Sequence, residues 1–335
     1  MVKKITYAFL AIFLLLTIVG IFGIRHFNNL WFKETPNYLI YSSEAKPMDF
    51  RWSSNTYGDY FEPHEAMLIP VQMAGIVNPL YFQFDTGAPT TLIYGNTLKS
   101  LGEAGIDVAE IAKGDRRYVQ SLDFVLGGNN TSAAMIQILE NYGNPIDQSD
   151  TTRALKIGTI GADFMDQRIT LIDFKNEVIQ IYNERPHWMS SLSGFQAFAF
   201  DGRRFMLPTQ IAGKELELFY DSGCSAFGLI TSKKRFDDYT DEKEKEVKYE
   251  GKRFGESLTI HHKSSNETME IGHATLPLKR ISYVDIYADY QRFMTPFTRI
   301  GGWLGNKPFT ESTLILDTKK EEFIVIESTD NYQKQ

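Results

Sequence analysis

The sequence predicts an all-β fold of two similar halves facing each other, preceded by a hydrophobic N-terminal helix. Three observations predict it. Short runs rich in Val, Ile, Phe and Tyr alternate with Gly, Asn and Asp, the pattern of strands and tight turns. A series of segments occurs twice in the same order, which marks an internal duplication. Each copy carries an acidic tripeptide at a strand end, Asp85-Thr86-Gly87 and Asp221-Ser222-Gly223.

The strand runs come first. Leu80–Phe84, Phe124–Leu126, Met135–Leu139, Ile169–Asp173 and Val178–Tyr182 are examples. Helix signals are few. Asn96 is placed to cap a helix running to about Ala112. Asp237–Lys248 is charge-dense and reads as a solvated segment, helix or loop. The chain has 335 residues, 43% hydrophobic and 23% charged, which suits a folded protein of one large or two ordinary domains. Its net charge is −7 with scattered basic residues, which argues against a nucleic-acid partner. With one cysteine, Cys224, it has no intramolecular disulfide, so the core alone must hold it.

The duplication is the second observation. Met67-Leu-Ile-Pro-Val-Gln-Met-Ala-Gly75 matches Phe205-Met-Leu-Pro-Thr-Gln-Ile-Ala-Gly213, with Pro70 and Pro208 offset by 138 (208 − 70). Each segment leads into an aromatic strand that ends in the acidic tripeptide, and an apolar strand follows, Thr91–Tyr94 or Gly228–Thr231. The halves also close alike. Thr159-Ile160-Gly161 and Trp303-Leu304-Gly305 each precede a closing hairpin, Gly161 and Gly305 being offset by 144 (305 − 161). The drift in offset places loop insertions between the matched blocks. The domains are therefore read as 64–190, holding Asp85, and 191–329, holding Asp221, with 27–63 as a stalk or lead-in.

The N-terminal helix is the third element. Ile5–Ile24 is uncharged for 20 residues (24 − 5 + 1), about the length that crosses a bilayer as a helix. Lys3 and Lys4 favour a cytoplasmic N-terminus, with the main domain on the far side, the periplasm in a bacterial host. No small-x-small pair follows, so residues 1–26 read as an uncleaved single-pass anchor rather than a signal peptide.

The tripeptides carry the chemistry. At a strand end, Gly permits a tight turn and close approach of backbone to whatever lies opposite. The Thr86 or Ser222 hydroxyl can bond backbone across the site and fix the turn. If the halves face each other, Asp85 and Asp221 meet, share a proton, and their two pKa values split. Such a pair can activate a water with its ionised member and protonate a carbonyl with the other, without metal or cofactor.

These motifs resemble those of the pepsin and retropepsin superfamily of aspartic proteases. Asp85-Thr-Gly-Ala88 and Asp221-Ser-Gly-Cys224, each followed later by an apolar-apolar-Gly, carry the resemblance over roughly Glu65–Glu327. It implies a bilobal pepsin-like acid protease fold with pseudo-twofold symmetry, the two copies fused in one chain and monomeric in its catalytic unit. It implies Asp85 and Asp221 as the catalytic pair of a peptidase, with Thr86, Gly87, Ser222 and Gly223 supporting their turns. Ile160, Gly161, Leu304 and Gly305 would form psi-shaped loops beneath them. A flap tyrosine is also implied, and Tyr118, in a hairpin from about Tyr118 to Ile138, is the candidate. The partner would be an extended protein or peptide substrate.

Two departures bear on pH. Pepsins usually carry Ser or Thr after the first Gly, where this chain has Ala88, as retropepsins do; the second turn has Cys224. Losing a donor to the ionised form raises the pair's pKa values, so a working pH nearer neutral is expected. The alternative reading is a catalytically inactive, membrane-tethered peptide-binding protein on the same fold; a second is a structural envelope protein without ligand. Gly223-Cys-Ser-Ala-Phe227 fails the last position of a serine-hydrolase elbow. Adjacent His261 and His262 on a strand point to opposite faces and make a poor metal site. Cys224 reads as a buried structural thiol.

Overall fold

The computed structural model describes residues 35–327, except 42–44, 104, 106–107, 148–153, 254–255 and 286–299. The anchor expected at residues 1–26 lies outside the described residues. Among those described, no helix is long and apolar enough to cross a membrane.

The described chain is mostly strand, in three sheets. One nine-stranded sheet is built wholly from residues before Ile169, and a second wholly from residues after Arg204. Each is the body of one lobe. Alternation explains the strand that leads to each tripeptide. In Leu80–Phe84 the residues Leu80, Phe82 and Phe84 are buried, while Tyr81 and Gln83 face outward. In Lys214–Tyr220 burial becomes continuous over the last three residues, Leu218, Phe219 and Tyr220. The second-lobe hairpin Phe205–Ile211/Lys214–Tyr220 closes through Ala212 and Gly213, both at positive φ (48° and 72°). Two such residues make the tight turn that matches strand twist. The first-lobe counterpart needs the longer loop Met73–Pro79 between Tyr60–Gln72 and Leu80–Phe84. That loop accounts for the change in offset from 138 at the prolines to 136 (221 − 85) at the aspartates.

The third sheet has six strands and belongs to both lobes. At its centre Ile169–Asp173 pairs antiparallel with Ser312–Asp317. Leu171 faces Ile315, residues offset by the repeat distance of 144 (315 − 171), so the pseudo-twofold axis runs between them. The core is continuous across the lobes: Phe174, Phe309 and Tyr220 form an aromatic chain with ring centroids 5.8 Å apart at each step.

Three local expectations change. The segment read as a stalk is folded into the sheets from Leu39 onward: Leu39–Tyr41 pairs with Asn129–Leu139, Met48–Asp49 with Val178–Tyr182, and Arg51–Tyr57 with Tyr60–Gln72. Its mixed aromatic and polar residues are alternating strand faces rather than a spacer. The helix spans Gly95–Glu103, so Asn96 lies inside it rather than capping it, its amide donating to the Gly143 carbonyl; Glu110–Lys113 is a strand, and Gly105, at φ +82°, follows the helix. In the charge-dense stretch, helix Lys233–Tyr239, capped by Ser232, gives way to a strand at Val247.

The hairpin Arg51–Tyr57/Tyr60–Gln72 also reaches across to the second lobe. The Tyr57 ring stacks on Tyr249 at 4.2 Å, and Tyr60 packs edge-on against His262. Fully buried Glu62 pairs with Lys307 and with Arg280, whose guanidinium covers the Tyr60 ring.

Candidate active site

Each acidic tripeptide sits where a strand ends over the parallel strand that closes its half. The Asp85 N–H donates to the Ile160 carbonyl (3.0 Å), and the Asp221 N–H to the Leu304 carbonyl (2.9 Å). Gly161 and Gly305 are needed for that crossing. A Cβ on Gly161 would lie 2.5 Å from the Thr90 backbone, and one on Gly305 would lie 2.1 Å from the Cys224 carbonyl oxygen. Ile160, Gly161, Leu304 and Gly305 thus lie beneath the two turns.

Between the lobes the turns are tied reciprocally. The Thr86 N–H donates to Ser222 Oγ and the Ser222 N–H donates to Thr86 Oγ1, both at 2.9 Å. The Thr86 hydroxyl in turn donates to the Tyr220 carbonyl and the Ser222 hydroxyl to the Phe84 carbonyl, both at 3.0 Å. Both side chains are buried, so no water competes for these bonds. Below Ser222, buried Asn306 donates to Ser225 Oγ (2.8 Å) and accepts from the Tyr220 hydroxyl (2.8 Å). In the first lobe buried Asp163 takes the Thr91 N–H and hydroxyl, each at 2.8 Å. The sequence reading missed these supports. Their signal was the polar residue lying within two positions of each closing Gly.

The carboxylates meet across the axis. Asp85 and Asp221 both line the one cleft, each against the glycine of the other's turn. A Cβ on Gly223 would fall 2.4 Å from the Asp85 carboxylate, and one on Gly87 would fall 2.5 Å from that of Asp221. Each carboxylate also accepts the N–H of its own Gly at 2.9 Å. Burial pushes Asp85 up to about 8; the facing Asp221 adds to this, and the Gly87 and Ala88 N–H groups offset part of it.

Cys224 differs from its expected role. It is half-buried and lines the cleft, and its thiol donates to Asp221 Oδ2 at 3.3 Å. The donor missing beside Asp85, where Ala88 stands, is therefore present in weak form beside Asp221. Cys224→Ser, a stronger donor to the ionised form, is expected to move the acid limb of a pH–rate profile downward, and Cys224→Ala to move it upward. Each shift should be a fraction of a unit to about one unit, read from kcat/KM against pH.

The cleft over the pair encloses about 270 Å³. Tyr118 does not line it: that residue sits near the start of strand Arg116–Leu126, paired with Ile111 and Gln137. The hairpin expected as a flap turns at Gly127 against Met48, because strand Arg116–Leu126 is held in the lobe sheet by Val71 and Gln72. Tyr57 does line the cleft, with its hydroxyl on Glu65 (2.7 Å) and its ring on Tyr249. His261 and His262 are both buried on strand Glu256–Ser264, His261 between Glu246 and Asp285.

No protein-family model and no curated protein matches this sequence. Among solved structures, the crystal structure of an aspartic proteinase from Irpex lacteus is similar. It shares 8% identity with a TM-score of 0.44, over 86% of this chain and 99% of that one.

Proposed function

We propose that this chain is an aspartic endopeptidase in which water held between Asp85 and Asp221 hydrolyses a peptide bond. The observation that carries the reading is the pair of carboxylates from the two lobes, each set against the glycine of the other's turn, at an open interlobe cleft. The ionised member takes a proton from water as its oxygen attacks the carbonyl carbon. The protonated member donates to the carbonyl oxygen. Collapse of the tetrahedral intermediate breaks the C–N bond, and a proton passes to the leaving amine. The Thr86–Ser222 ties hold the turns to one another without using the carboxylates, so the pair can exchange its proton while those ties stay in place. An extended peptide would lie along the cleft. The hydrophobic N-terminus would tether the domain to a membrane, on the side away from the cytoplasm.

Burial and the facing Asp221 raise Asp85 to about 8, which would keep a proton on the pair at neutral pH. Peptide cleavage by the full chain is therefore expected at pH 6–7, with kcat/KM falling about tenfold per unit above roughly 8, as the shared proton is lost. An optimum below about pH 3 would contradict this. Inhibition by a peptide bearing a secondary hydroxyl in place of the scissile amide tests the reading directly, since such a mimic fits the water site. Peptide binding without turnover would instead favour an inactive peptide-binding protein.

A further inference from the structure

The two sides of the cleft differ in chemistry at positions that the duplication makes equivalent. Two residues before each Asp stand Gln83 and Phe219; two before each closing Gly stand Thr159 and Trp303. They are strand neighbours in the same register, Gln83 beside Thr159 and Phe219 beside Trp303. On the Asp221 side Trp303 stacks on Phe219 and faces the cleft with Phe227, Ile230, Leu258 and Ile260. That wall is apolar. On the Asp85 side every large residue ends in a polar group. Lys156 donates to Gln83 Oε1 at 2.8 Å, and the Tyr94 hydroxyl bonds Thr159 Oγ1 at 2.9 Å. Tyr142 completes this wall.

Charge on the Asp85 side comes from Lys156 and Glu65. The Glu65 carboxylate is taken up by its own hairpin: Asn55 and the Tyr57 hydroxyl donate to one oxygen (2.8 and 2.7 Å) and Ser53 to the other (3.4 Å). Lys156 makes a single described hydrogen bond, and its ammonium, which carries three donors, is exposed at the cleft. An apolar side chain placed here would cover those donors without replacing their water.

Building on the hydrolase reading, we infer that the cleft selects peptides with a bulky apolar side chain on the Asp221 side. On the Asp85 side it selects a side chain ending in a carbonyl or carboxylate oxygen, Gln or Glu, bound by Lys156. Gln83 releases Lys156 to the substrate, or shares it.

The test uses the full chain and a peptide series in which the residue on the Asp85 side is Gln, Glu, Leu or Lys. The wild type should prefer Gln and Glu over Leu by roughly tenfold in kcat/KM, the size of one charge-assisted hydrogen bond. Lys156→Met should erase that preference, bringing kcat/KM for the Gln and Glu peptides to the level of the Leu peptide. Binding to Asp85→Asn, read by fluorescence polarisation, is measured in parallel. Equal use of Leu and Gln by the wild type, or an unchanged ratio in Lys156→Met, would overturn the assignment while leaving hydrolysis standing. Selective, Lys156-dependent binding with no cleavage by the wild type would keep the assignment and remove the hydrolase.

Discussion

Replacing Asp85 by Asn is expected to cut peptide hydrolysis by at least a thousandfold while leaving the fold intact. General acid–base action by a positioned group is worth about 10²–10⁴, and one amide in the pair removes both the shared proton and the ionisable site that exchanges it. The substitution is nearly isosteric, and the Gly87 N–H retains an acceptor at the Oδ1 position. Stability supplies an independent readout. Folding raises the Asp85 carboxyl from the ordinary carboxylate range to about 8, chiefly by burial. A carboxyl raised on folding contributes stability that is fully present below its unfolded value and is lost as pH rises through its folded value. The wild type should therefore lose stability between about pH 4 and 8, while Asp85→Asn should show a flatter profile and gain relative to it at pH 8–9. Equal cleavage by both proteins, or parallel profiles of Tm against pH, would contradict the shared proton.

Thr86→Val is expected to destabilise the protein by about 2–5 kcal/mol, the cost of leaving two buried backbone groups without partners. The methyl replaces the hydroxyl without a cavity. It leaves the Ser222 N–H without its acceptor and the Tyr220 carbonyl without its donor, in a site with no solvent. Because the tie joins the two turns, activity should fall beyond what stability predicts, with kcat affected more than KM. Denaturant midpoints and steady-state kinetics measure the two effects. Thr86→Ser, which keeps the hydroxyl, should recover most of both.

The two-half architecture was legible because the duplication left its residues in the strand ends. Pro70/Pro208, the tripeptides and the closing glycines occupy positions where backbone geometry admits few side chains, and Gly161 and Gly305 meet backbone atoms wherever a Cβ is added. The shared sheet could not be read from periodicity. Ile169–Asp173 and Ser312–Asp317 are buried at every position, a pattern that fixes burial and not the partner strand. The lead-in was misread because Arg51–Tyr57 is a half-exposed strand whose faces alternate weakly, and its polar residues mimic a linker. Tyr118 was chosen by its place in a hairpin. Which hairpin overhangs the cleft depends on tertiary pairing with Val71 and Gln72, contacts that local sequence does not encode. The role of Cys224 depended on the direction of one thiol, for which residue type is no guide.

The sheet common to the lobes has a mechanical consequence. Its central ladder, Ile169 against Asp317 through Asp173 against Thr313, joins the lobes at their base by main-chain bonds, so they cannot swing apart there as a hinged jaw does. Compliance is left to the rim, where the ring of Tyr57 leans on that of Tyr249. A guest chain that enters over this rim would part that pair of rings. Admission and chemistry are thus governed by different parts of the molecule, one soft and one stiff.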